Sequence, residues 1–69
     1  MPLSMVQAGE TGYIRRITGK DDMRRHLIAL GFVAGEKVTV ISEFNDNMIL
    51  SIKNSRIALD KRMANRIIV

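Results

Sequence analysis

Sixty-nine residues, 46% of them hydrophobic and 26% charged, suffice for one folded unit and leave no segment polar enough to remain disordered. At this length folding removes only about 60% of the surface that the unfolded chain exposes, so the stability margin is thin. The lack of cysteine excludes disulfides, thiolate metal centres and cysteine nucleophiles, and the net charge of +4 favours an acidic partner surface.

Along the chain, Leu3 to Ala8 is a lead-in, and Gly9-Glu10-Thr11-Gly12 supplies glycines for a turn. A strand is expected over Tyr13–Ile17, ended by Gly19. Asp21-Asp22 then offers an N-cap oxygen and negative charge for the first turn of a helix, whose apolar positions Met23, Leu27 and Leu30 recur at i, i+4 and i+7. Gly31 falls where a left-handed residue closes the helix, with Phe32 placed to fold back on Leu27 as in a Schellman motif.

Only strand patterns follow, apart from one helical turn. Val33-Ala34-Gly35-Glu36 reads as a tight turn and Lys37–Ser42 as a strand with Val38 and Val40 on one face. Glu43–Asn47 reads as a polar loop, and Met48, Leu50 and Ile52 alternate with Ile49, Ser51 and Lys53. Asn54-Ser55 is the expected hairpin connection to a strand over Arg56–Leu59, with Ile57 and Leu59 inward. Asp60–Asn65 has the pattern of one helical turn, and Arg66–Val69 that of a last strand with Ile67 and Val69 inward. The expected architecture is one mainly β domain over residues 1–69: a small five-stranded barrel with one α-helix inserted between the first and second strands.

The inventory for catalysis is poor. His26 is the only histidine, so no multi-histidine metal site is expected, and its place off the apolar stripe predicts an exposed side chain. Asp21-Asp22 is more economically a cap than a cation site. Gly19-Lys20 lacks the rest of a phosphate loop: Ile14 stands where its first glycine belongs and Asp21 where the hydroxyl residue belongs. Tyr13, Phe32 and Phe44 are too few aromatics for a proline-peptide groove. These features predict a non-enzymatic module with no cofactor, no metal site and no small-molecule substrate. Because the first basic residue is Arg15 and the longest apolar run is Leu27–Leu30, neither a leader nor a membrane insertion is expected, and the location should be cytoplasmic.

The span Met23–Gly35 contains Arg25, Leu27, Leu30, Gly31, Phe32 and Gly35 in the spacing R-x-L-x-x-L-G-[hydrophobic]-x-x-G, which resembles the signature of the ferrous iron transport protein A (FeoA) family. Pro2-Leu3-Ser4 with Gly9–Gly12, and Ile57-Ala58-Leu59 with Ala64–Val69, resemble that family's opening and closing segments. Ala34 stands where the family commonly has proline and Asn54 where it usually has glycine, each compatible with its turn. The resemblance implies an SH3-like barrel and a small accessory or regulatory protein of ferrous iron uptake, docking on the cytosolic part of a FeoB-type membrane transporter. The docking element expected on this chain is the helix with Arg24 and Arg25 and the corner Leu30-Gly31-Phe32.

Three other readings stand beside it. A small basic barrel can bind nucleic acid, although scarce aromatics disfavour this, and the same fold serves as a regulatory domain of iron-dependent repressors. Weak self-association is a third, with Met5, Val6 or Phe44 as the cue if exposed. Arg24 and Arg25 form a basic patch with Arg15 or Arg16 if the helix lies over the outer side of the preceding strand. Strict alternation sends Arg15 and Arg16 to opposite faces, so at most one of them is expected to join it, and separate solubilising charges are an equal alternative.

Overall fold

The computed structural model describes residues 1–69. A 3₁₀ turn at Leu3–Met5 leads into strands β1 (Thr11–Tyr13) and β2 (Arg16–Ile17), helix α1 (Asp22–Ala29), strands β3 (Lys37–Phe44), β4 (Asn47–Ile52) and β5 (Ser55–Asp60), the one-turn helix α2 (Lys61–Ala64) and strand β6 (Ile67–Ile68). Strands β1-β3-β4-β5 form one antiparallel sheet in that order, and β2 pairs with β6 in a second. No ladder joins β5 to β6; α2 makes that connection. No helix is long and apolar enough to cross a membrane.

The expected strand over Tyr13–Ile17 is divided, which is why six strands stand where five were expected. The division is a change of partner. The Ile14 N–H donates to Glu36 O (2.9 Å), and Ile14 O accepts from Gly35 N–H (2.7 Å), whereas the next residue, Arg15, donates its N–H to Ile68 O (2.7 Å). The chain thus leaves the larger sheet and joins the smaller within one peptide, and both Ile14 groups and the Arg15 N–H stay paired while it does so. Ile14 and Ile17 are both buried and both residues between them are exposed, a spacing that strict alternation forbids.

Two turns also differ from expectation. Strand β3 continues through Glu43 and Phe44, which pair with Met48 and Asn47, so the expected polar loop shrinks to Asn45-Asp46, with Asn45 at φ 55°. A bulge between Val40 and Ser42 interrupts the alternation and hides this continuation. The second hairpin turns at Lys53-Asn54, one residue before the expected pair, with both residues at positive φ (50° and 65°) and Ile52 opposite Ser55. Turning at Asn54-Ser55 would have kept every side chain on its own face, because the register would slip by two. It would also have set Lys53 directly opposite Arg56, a repulsion that the observed register avoids.

The core is one cluster: Leu3, Val6, Ile14, Ile17, Leu27, Phe32, Val38, Val40, Met48, Leu50, Ile52, Leu59, Ala64 and Ile67. The lead-in therefore contributes Leu3 and Val6 to the interior, and it is tied down by the C-terminus. The Met1 ammonium donates to Val69 O (2.7 Å), the Val69 N–H donates to Met1 O (2.8 Å), and Ser4 Oγ donates to Asn65 Oδ1 (3.0 Å). Ile57 and Val69 are half-buried against the core, and Met5 and Phe44 are exposed.

Candidate partner-docking groove

Helix α1 starts as its sequence dictates. Asp21 is the N-cap, its carboxylate accepting the Arg24 N–H (3.4 Å) and an Arg66 Nη1 bond (2.6 Å). Arg66 immediately precedes β6, so this one carboxylate anchors the helix start to the last strand. Gly19 lies in the left-handed region (φ 93°) with the Arg66 guanidinium against its backbone, and any Cβ there would collide with that group. At the other end the Gly31 N–H donates to Ile28 O (3.0 Å) and the Phe32 N–H to Leu27 O (3.1 Å), the two bonds of a Schellman motif.

The hydrogen bond from Arg66 holds the Asp21 carboxyl below the usual carboxylate range; partial desolvation opposes this, and the Arg24 N–H and the Arg66 charge reinforce it. Because the folded value is the lower one, the associated stability is fully present above the ordinary carboxylate range and is lost as pH falls through the depressed value. Asn caps as well as Asp, so Asp21→Asn keeps the cap and removes the charge. Melting curves from about pH 7 to pH 2 should therefore show a flatter acid limb for this variant than for the parent. Parallel limbs would show that the Asp21–Arg66 pair carries no pH dependence.

The helix is held on β2 by a second contact, from Arg24 Nε to Ile17 O (3.2 Å). Between α1 and β2 this leaves a groove of about 200 Å³. Its floor is apolar, made by Ile17, Ile28, Phe32, Val33 and Ala34, and its rim carries Arg15, Arg16 and Arg24. A wider basin of about 640 Å³ adjoins it at Arg16, Ile17 and Arg24 and extends to Lys20 and Arg25. Arg15, Arg16, Lys20 and Arg24 have no carboxylate partner, whereas Arg25 pairs with Asp22.

The residues singled out from the sequence are distributed unevenly over this region. Arg24 is half-buried and committed to the Ile17 carbonyl, so it does not project freely into solvent. Arg25 is exposed, on the wall of the basin. Phe32 is fully buried and forms groove floor from beneath. Leu30 and Gly31 are half-buried and line neither depression. Sequence reasoning missed Ile28, Val33 and Ala34 as lining, and kept Arg15 and Arg16 apart where both reach the rim. The available signal was Ile14 and Ile17, three apart, a spacing that breaks the two-residue period. His26 is exposed, and no three His, Asp or Glu side chains come together.

Residues 1–69 match the FeoA domain family. A relative from Methanocaldococcus jannaschii bearing the name Fe(2+) transport protein A is 31% identical over 68 residues, which cover 99% of this chain and 83% of that one. The zinc-complexed FeoA of Stenotrophomonas maltophilia, described as a prokaryotic SH3 domain protein, superposes with a TM-score of 0.90 at 25% identity, covering 100% of this chain and 88% of the other. A manganese-dependent transcriptional repressor shares the fold, with a TM-score of 0.86 at 24% identity over 97% of this chain and 39% of its own. Matched over its whole length to one family, and built as a mainly β, SH3-like fold with the helix and glycine corner that its sequence announced, the chain belongs to the FeoA family.

Proposed function

We propose that this chain is a cytosolic, non-enzymatic accessory protein of ferrous iron uptake that docks on the cytosolic region of a FeoB-type membrane transporter through α1 and the neighbouring basic surface. Family membership supports the iron-uptake role. The observation that carries the docking element is the gathering of Arg15, Arg16, Lys20, Arg24 and Arg25 around the α1–β2 junction, where four of the five lack a carboxylate partner. Unpaired arginines beside apolar surface suit an acidic protein face, which they would steer into register. The Leu30-Gly31-Phe32 corner acts in this reading by fixing the end of the helix.

Arg25→Glu is the cleanest test. Arg25 is exposed, and its i,i+3 pair with Asp22 is a surface pair worth about 0–1 kcal/mol. The variant should melt close to the parent and capture the transporter's cytosolic region about tenfold more weakly, equivalent to about 1.4 kcal/mol, with the deficit shrinking at high salt. Unchanged capture and unchanged iron uptake by a folded Arg25→Glu protein would move the docking surface elsewhere. Arg24→Glu is a poorer probe, because it also removes the tie to Ile17.

A further inference from the structure

Resting on that docking reading, we propose that the α1–β2 groove is a peptide site: it seats one apolar side chain of an extended acidic segment of a partner protein, with flanking carboxylates held by Arg15, Arg16 and Arg24. The size argues for a side chain over a metabolite. At about 200 Å³ the groove is smaller than the roughly 300–1,000 Å³ typical of small-molecule pockets. It offers Ile17, Ile28, Val33 and Ala34, backed by the buried Phe32, and no carboxylate, so an apolar group gains by entering. The rim is complementary to negative charge. Arg15 and Arg16 are exposed and have no ionic partner, and Arg24 engages Ile17 through Nε alone, leaving its terminal nitrogens without a carboxylate. Guanidinium groups match carboxylates in a planar, two-point geometry, so acidic residues two positions either side of the buried one, on the same face of the extended segment, are the fitting pattern.

The same surface is a poor nucleic-acid track. Single strands are held by exposed aromatic side chains that stack bases, yet Phe32 is buried in the floor, and the exposed Tyr13 and Phe44 line neither depression.

The test is a titration of the isotopically labelled full chain, followed by amide NMR, with an acetylated and amidated pentapeptide Glu-Gly-Leu-Gly-Glu, whose glutamates share the face of the leucine when it is extended. Saturable shifts are expected at Ile17, Ile28, Val33 and Ala34. The counterpart peptide with glutamine for glutamate should bind at least tenfold more weakly, as should the acidic peptide to an Arg15→Gln, Arg16→Gln protein. Ala34→Glu, at an exposed turn position on the groove wall, should remain folded and lose binding. The proposal is overturned by shifts that do not saturate or map elsewhere, by equal affinity for the glutamine peptide, by the same shifts from inorganic phosphate alone, or by tighter binding of a short oligothymidylate. Capture of the transporter's cytosolic region by the same variants separates the two readings. Groove binding of the peptide with capture untouched by Ala34→Glu upholds the peptide site and removes it from the transporter interface. Capture lost in Ala34→Glu while the acidic peptide fails to bind overturns the peptide site and leaves the docking reading standing.

Discussion

Gly31→Val is expected to lower the melting temperature by about 10–20 °C, from a loss of roughly 2–3 kcal/mol at about 4–8 °C per kcal/mol for a domain of this size. Space is not the cause. The nearest atom a Cβ would meet is Lys53 Cδ at 3.6 Å, an ordinary contact. The cause is the backbone: Gly31 sits at φ 109°, where a non-glycine residue is strained by about 1–3 kcal/mol and a β-branched one fares worst. Relieving that strain means rotating the corner, which breaks the bonds from Gly31 N–H to Ile28 O and from Phe32 N–H to Leu27 O. Gly31→Asn should cost distinctly less, since asparagine enters the left-handed region more readily. Thermal melts of the two variants beside the parent decide the matter, and a valine protein melting within a degree or two of the parent would mean that the corner rearranges at no cost.

That corner was legible in the sequence because its chemistry is local. An aspartate cap, an apolar repeat at helical spacing and a glycine in the right place need no knowledge of what lies across the fold, and all three are found where they were expected. The strands were less legible, each for a reason involving a partner. The break between Ile14 and Arg15 exists because β1 and β2 pair with different strands, and nothing within five residues of local pattern encodes which strands those are. Alternation left the β4–β5 register open by two residues, and the observed register is the one that keeps Lys53 from facing Arg56. The groove depended on the first of these. Arg15 and Arg16 reach one rim through the change of strand partner, and Arg24 is drawn in by a carbonyl seven residues earlier. The surface was therefore visible in the sequence as a set of residues and not as a shape.

The largest effect on stability is expected from Phe32→Ala, at about 3–5 kcal/mol. A domain of this length has a total stability of roughly 3–10 kcal/mol, at about 0.05–0.15 kcal/mol per residue, so the variant should lose from about a third of that stability to all of it. Phe32 heads the set of large, fully buried side chains, and its own N–H caps α1, so its removal opens a cavity where helix and sheets meet. Its role in docking follows from the same burial. A side chain with no exposed surface cannot touch a partner while the corner stays closed; on the docking reading it acts by supporting the groove from beneath. Phe32→Leu, which leaves a smaller cavity, should fold with a reduced melting temperature and capture acidic partners within a few-fold of the parent. The exposed substitution Ala34→Glu should show the reverse, near-parental stability with capture lost. Denaturant unfolding and capture measured on all three proteins test the assignment together. If Phe32→Leu folds well but loses capture as fully as Ala34→Glu does, the corner must open to expose Phe32 on binding, and the groove is a closed form of the docking surface.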